Sequence, residues 1–145
     1  MEPPSSTRTA RCSCGALSIT VRGEPFEVWV CHCLECQRQT GAPYSLTAGW
    51  LKEEVVATDG DARTWTRSSY RGRKIENTFC PACGSTLFNT SEAFPEAVMI
   101  NAGNFGDAVL PPPTVEYWTE HRLPWVSIPT ATVRWKRQAE DGEAG

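Results

Sequence analysis

The sequence predicts a mostly β domain stapled by metal, and three observations carry that prediction. Seven cysteines fall into three tight clusters: Cys12 with Cys14, Cys31 with Cys33 and Cys36, and Cys80 with Cys83. Apolar and polar residues alternate with period two in several short segments, the pattern of half-buried strands. Gly, Pro and Asp groups punctuate those segments at short intervals, while helix signals are few.

The elements follow in order from local pattern. Leu17, Ile19 and Val21 alternate with Ser18 and Thr20, which gives a strand just after the first cysteine pair. Residues 28–33, 44–50, 64–70, 75–79 and 97–102 read as further strands. Breaks at Gly23-Glu24-Pro25, Thr58-Asp59-Gly60-Asp61 and Gly103-Asn104-Phe105-Gly106-Asp107 separate them. One short helix is predicted over 34–40, ended by Gly41 in the place a left-handed residue takes. Pro111-Pro112-Pro113 is a stiff, extended connector. Residues 1–9 and 137–145 are predicted to be disordered tails, leaving a single zinc-binding domain over 10–136.

Composition narrows the function classes. A chain of 145 residues is sized for one core. A net charge of −3 and a pI near 5.4 argue against a general nucleic-acid binder. Arg71-Gly72-Arg73-Lys74 reads as a solvated turn rather than a phosphate site. No apolar run approaches the roughly 20 residues of a membrane span. Residues 1–9 lack the apolar stretch of a secretory signal, and an odd number of cysteines fits a disulfide framework poorly. The expectation is a cytoplasmic protein with neither nucleic-acid nor membrane partners.

Thiolates one or two residues apart can turn toward one point, as a tetrahedral zinc ion requires at Zn–S distances of roughly 2.3 Å. Two of the clusters, Cys12/Cys14 and Cys80/Cys83, are each followed at once by glycine, Gly15 and Gly84. Glycine tolerates the sharp turn that aims backbone N–H groups at the sulfurs. Those four cysteines are therefore expected to share a closed site. A rival pairing sets Cys33 and Cys36 with Cys80 and Cys83 as a zinc ribbon. It leaves Cys12, Cys14 and Cys31 without a close set, so spacing favours the first pairing. Cys31 and Cys33 point to one side of an extended segment, and Cys36 swings back toward them from the first helical turn. Three ligands with an open fourth position is the pattern of a catalytic zinc. Three thiolates leave the ion a net charge of about −1, better suited to holding a further sulfur as thiolate than to ionising water. The bland alternative is a second structural zinc completed by another residue, or a partly empty site.

At these motifs the chain resembles the glutathione-dependent formaldehyde-activating family, which also includes centromere protein V. The resemblance is carried by Cys12-Ser13-Cys14-Gly15, by Cys31-His32-Cys33-Leu34-Glu35-Cys36-Gln37-Arg38-Gln39-Thr40-Gly41 and by Phe79-Cys80-Pro81-Ala82-Cys83-Gly84-Ser85. It continues through Asn101-Ala102-Gly103 to Leu123-Pro124-Trp125. It implies a mostly β fold similar to a small guanine-nucleotide-exchange chaperone. It also implies two zinc ions: a structural one on Cys12, Cys14, Cys80 and Cys83, and a catalytic, more labile one on Cys31, Cys33 and Cys36. The implied activity is that of a carbon–sulfur lyase, joining glutathione as co-substrate to formaldehyde to give S-hydroxymethylglutathione. The alternative is a non-catalytic zinc-binding interaction module of the same fold. Where many relatives carry a histidine after the late proline, this chain has Glu116.

The remaining candidates are weaker. His32 faces away from the cysteines on either side of it and is expected to pack or to face solvent rather than to ligate. His121 is expected at the surface. Trp50, Trp118 and Trp125 can wall a pocket, although tryptophans in a small β domain mostly fill the core. Arg38, just past the middle cluster, can pair with a glutathione carboxylate, or else with a surface acid.

Overall fold

The structure, a computed structural model, describes residues 6–106 and 110–139. Its elements are β1 (Thr7–Arg11), β2 (Ser18–Arg22), β3 (Glu27–Cys31), α1 (Leu34–Thr40), β4 (Ser45–Leu51), β5 (Val55–Asp59), β6 (Arg63–Ser68), β7 (Lys74–Phe79), β8 (Thr86–Ser91), β9 (Ala97–Asn101), β10 (Val115–Tyr117) and β11 (Val133–Arg134). By its contacts the chain divides into two compact units, Met1–Phe26 with Gly49–Val109, and Glu27–Ala48 with Leu110–Gly145. The protein is mostly β, and none of its seven cysteines is in a disulfide. No helix among the described residues is long and apolar enough to cross a membrane.

In the first unit β1, β2 and β5 form an antiparallel sheet in the order β1-β2-β5. The period-two pattern of β2 puts Ile19 and Val21 inside and leaves Ser18 and Thr20 half-buried. Strands β9, β8, β7 and β6 follow one another in antiparallel order. Leu17, Leu87 and Ile100 are wholly buried, and the Trp50 ring lies 5.4 Å from that of Phe105. Each such aliphatic side chain stabilises the fold by about 1.5–3 kcal/mol relative to an exposed one. The pairing of β7 with β8 shifts register between Thr78 and Phe79. That irregularity immediately precedes Cys80, where a bulge re-aims the chain.

Thr7 to Thr9, expected within a disordered tail, belong to β1, with Thr7 opposite Arg22 and Thr9 opposite Thr20. Their polar side chains hid a strand that is held by its pairing with β2 and by the hydroxyl contact of Thr9 with Thr20 at 2.8 Å. Arg137, expected in the other tail, accepts a backbone hydrogen bond from Trp118. Residues 1–5 and 140–145 of the expected tails lie outside the described residues.

Gly60, just past β5, has φ +101°, and a Cβ there would sit 1.9 Å from the Ala16 carbonyl oxygen. Substitution by alanine meets both strain and collision. The backbone alone costs about 1–3 kcal/mol, and the collision adds to it because a main-chain atom cannot swing away. Gly60→Ala is expected to lower the melting temperature by at least several degrees, which thermal unfolding by circular dichroism measures.

In the second unit the strand order is β11-β10-β3-β4. β10 runs parallel to both its neighbours, with Tyr117 opposite Cys31, Glu116 opposite Val30, and Glu116 opposite Arg134 on the other side. Val30, Val126, Ile128 and Ala131 make the core of this unit, with Tyr44 and Leu123 packed against it. α1 occupies the predicted residues. Cys33 caps its start by accepting a hydrogen bond from the Cys36 amide, and Gly41 ends it at φ 66°.

Candidate metal centres

Cys12 and Cys14 leave the end of β1, while Cys80 and Cys83 lie in the turn between β7 and β8. The four sulfurs all lie within 4.8 Å of one another. Cys12 Sγ is 3.6 Å from Cys14 Sγ, which is 3.7 Å from Cys80 Sγ. A tetrahedron of sulfurs around zinc has edges of about 3.8 Å, so the set fits that ion. Gly15 and Gly84 take φ values of 81° and 79°, the left-handed turns that the knuckle needs. The Leu17 amide donates to Cys12 Sγ at 3.2 Å. Ser85 ties the two arms: its hydroxyl accepts from the Ser13 amide at 3.1 Å and lies 3.3 Å from Cys83 Sγ.

The protonation pattern of the bare thiols points the same way. The Ser85 hydroxyl, helped by the Ser85 and Cys14 amides, pulls Cys83 down to about 5. The Ala16 amide also pulls on Cys14, but the sulfurs of Cys12, Cys80 and Cys83 outweigh it and that thiol rises to about 11. Four crowded sulfurs cannot all ionise alone; a divalent cation removes the conflict.

The second cluster stands in the other unit. Cys31 ends β3, Cys33 caps α1 and Cys36 lies in its first turn, and their sulfurs too lie within 4.8 Å of one another. The Cys36 amide donates to Cys33 Sγ at 3.2 Å. The Cys33 and Cys36 sulfurs, together with burial, push Cys31 well above the ordinary thiol value. Cys36 is drawn down by Cys31, yet Cys33 and burial leave it at about 11 despite a hydrogen bond from Ser45. This donor set also fits a soft cation, and among the described residues no further His, Cys, Asp or Glu completes it.

The side of the segment away from the sulfurs is polar and buried. His32 and Glu116 are both fully buried, with His32 Nε2 2.7 Å from Glu116 Oε1. Glu116 Oε2 accepts from Arg134 Nε at 2.6 Å, and Arg122 Nη1 lies 3.6 Å from it. Burial lowers the His32 pKa and outweighs the upward pull of Glu116. Its Nδ1 has no partner, so Nε2 is the nitrogen assigned the hydrogen that the carboxylate accepts. Gln37 Nε2 donates to the carbonyls of His32 at 2.9 Å and His121 at 3.2 Å.

The family model described as glutathione-dependent formaldehyde-activating enzyme matches residues 7–121, which hold all seven cysteines. The chain belongs to that family. The family's name joins it to glutathione and formaldehyde. Among solved structures, a Rhodobacter sphaeroides protein superposes with a TM-score of 0.52 at 19% identity, over 88% of this chain and 98% of that one. At that identity the likeness is one of fold. No curated protein matches.

Placed within this member of the family, the other expected residues divide. His32 takes no part in the sulfur cluster, as expected, and of the two alternatives it is buried rather than solvent-facing. His121 is partly exposed and stacks on Trp118, with ring centroids 5.7 Å apart. Trp50 is core and Trp125 is 73% exposed. Arg38 is exposed and pairs with Glu35 at 3.4 Å along the helix. Sequence reasoning missed Ser45 and Ser85 as hydrogen-bond partners of the sulfurs, and Gln37 as a partner of the His32 carbonyl. Ser85 carried the one readable signal, its place directly after Cys-Pro-Ala-Cys-Gly.

Proposed function

We propose that this protein is a zinc-dependent enzyme of the carbon–sulfur lyase type, adding a thiol such as glutathione to formaldehyde or a related small electrophile. The carrying observation is the convergence of Cys31, Cys33 and Cys36 without a fourth protein ligand among the described residues, in a chain of this family. In the addition, the glutathione sulfur bonds to the carbonyl carbon, the carbonyl π pair moves to oxygen, and the thiol proton ends on that oxygen. A zinc ion held by Cys31, Cys33 and Cys36 supplies softness and keeps a further sulfur deprotonated when bound. The chain's own part is to hold those three sulfurs in place: the Cys36 amide and Ser45 hydrogen-bond to them, and α1 fixes Cys33 and Cys36 one turn apart. Cys12, Cys14, Cys80 and Cys83 are assigned the structural ion. A cytoplasmic setting, where glutathione keeps thiols reduced, suits both sites.

Arg38 is assigned the glutathione carboxylate, since its exposed guanidinium can leave Glu35 at little cost. Isothermal calorimetry on the zinc-loaded protein tests the reading. Reduced glutathione is expected to bind in the range of about 1 μM to 1 mM usual for enzyme substrates, and S-methylglutathione, which cannot form a thiolate, much more weakly. Arg38→Ala is expected to weaken glutathione up to about fivefold, as an exposed pair would, with zinc content unchanged. Equal affinity for the two compounds, or no binding of any thiol, overturns thiol activation and leaves a non-catalytic zinc module.

A further inference from the structure

The geometry points to Glu116 as a positioning residue for the three-sulfur cluster, acting through His32. His32 is the residue between Cys31 and Cys33, so its orientation sets the direction of both side chains. In an extended segment the sulfurs leave one side and the imidazole the other. Three of its four polar handles are held. The backbone N–H donates to Tyr117 O at 3.0 Å, the carbonyl accepts from Gln37, and Nε2–H donates to Glu116. Tyr117 and Glu116 are consecutive residues of β10, so a single strand grips both the backbone and the ring.

Keeping this grip is costly in isolation. A carboxylate with no exposed surface loses several kcal/mol of hydration, and among the described residues Arg134, Arg122 and His32 compensate it. Replacing the group by an apolar side chain would remove that cost, so its presence calls for a role beyond packing. Partners behind metal ligands orient them, and their loss typically weakens metal affinity 10- to 100-fold. Here the partner is one residue removed: Glu116 holds the segment from which two ligands project.

This inference rests on the reading that Cys31, Cys33 and Cys36 hold an ion, and the test separates the two. The full-length protein is loaded with Co(II), and the affinity of each ion is measured by chelator competition alongside the d–d absorption of the second ion. Wild-type protein that binds a single ion refutes the metal reading itself. If wild type binds two, Glu116→Gln, which keeps volume but removes the charge, is expected to weaken the second ion about 10- to 100-fold and to shift its d–d band. The first ion is expected to stay as in wild type. His32→Phe, which keeps a ring against Tyr44 but cannot bond Glu116, is expected to do the same and decides the matter if Glu116→Gln does not fold. An unchanged second ion in either folded variant overturns the role. So does equal weakening of both ions, or failure of both variants to fold, since either makes the network a general requirement of the fold.

Discussion

Cys83→Ser is expected to yield protein that is unfolded or aggregated, with less than one tightly held zinc per chain. Structural zinc in small domains binds with about 10–16 kcal/mol at neutral pH, and where no site preexists in the unfolded chain that energy is folding energy. A domain's whole net stability is about 5–15 kcal/mol, so losing one ligand of the four-sulfur set removes a share comparable to the total. The geometry sharpens the expectation. Cys12 and Cys14 lie 66 or more residues before Cys80 and Cys83, so an ion bound there would close a long loop and hold the end of β1 to the turn between β7 and β8. Ser85 bridges the same two arms through the Ser13 amide, but one neutral hydrogen bond, at about 1 kcal/mol net, does not replace it. Circular dichroism with zinc analysis of wild type and Cys83→Ser is the measurement. A soluble, cooperatively melting variant with its full zinc would show that the four-sulfur site does not hold the fold.

Cys33→Ala is expected to stay folded and to lose thiol-dependent activity by at least about 100-fold, the upper end of what merely displacing a ligand's support does. In stability the residue contributes mainly as the cap of α1, accepting from Cys36 N at 3.2 Å. Loss of a cap costs typically about 1 kcal/mol. The core of that unit, Val30 with Val126, Ile128 and Ala131, is untouched. In function the change deletes one of three sulfurs from the set that converges without a fourth ligand among the described residues. Activity with glutathione and formaldehyde, set beside the melting curve, separates the two effects. If Cys33→Ala melts as early as Cys83→Ser, the second cluster holds the fold, and the enzyme reading loses its main support.

What the sequence determined by itself was local. The C-x-C, C-x-C-x-x-C and C-x-x-C spacings fix which sulfurs can turn together, because neighbours one or two residues apart need only a short bend of the backbone. Gly15 and Gly84 marked the two knuckles for the same reason, and they take the left-handed turns that this required. The helix at Leu34–Thr40 was legible from its end, since Gly41 in the left-handed conformation is a property of one residue. Strand β2, with its period-two apolar pattern, was legible too, and β9 showed as a short apolar run.

The tertiary structure decided what depends on pairing between distant segments. β1 carries Thr and Arg at most positions and has no apolar signature; it is a strand because β2 lies beside it. β10 and β11 are three and two residues long, too short for any period to show, and they exist because parallel neighbours complete their hydrogen bonds. Spacing already favoured setting Cys12 and Cys14 with Cys80 and Cys83 over a ribbon of Cys33 and Cys36 with Cys80 and Cys83, and the meeting of the two loops brings those four sulfurs within 4.8 Å of one another. Glu116 shows the limit most sharply. In sequence it was an acid in an unusual place. Its partners His32, Arg122 and Arg134 stand 84, 6 and 18 residues away, and only the register of β10 between β3 and β11 brings them to one buried carboxylate. Burial and charge pairing are properties of that arrangement, and no local pattern encodes them.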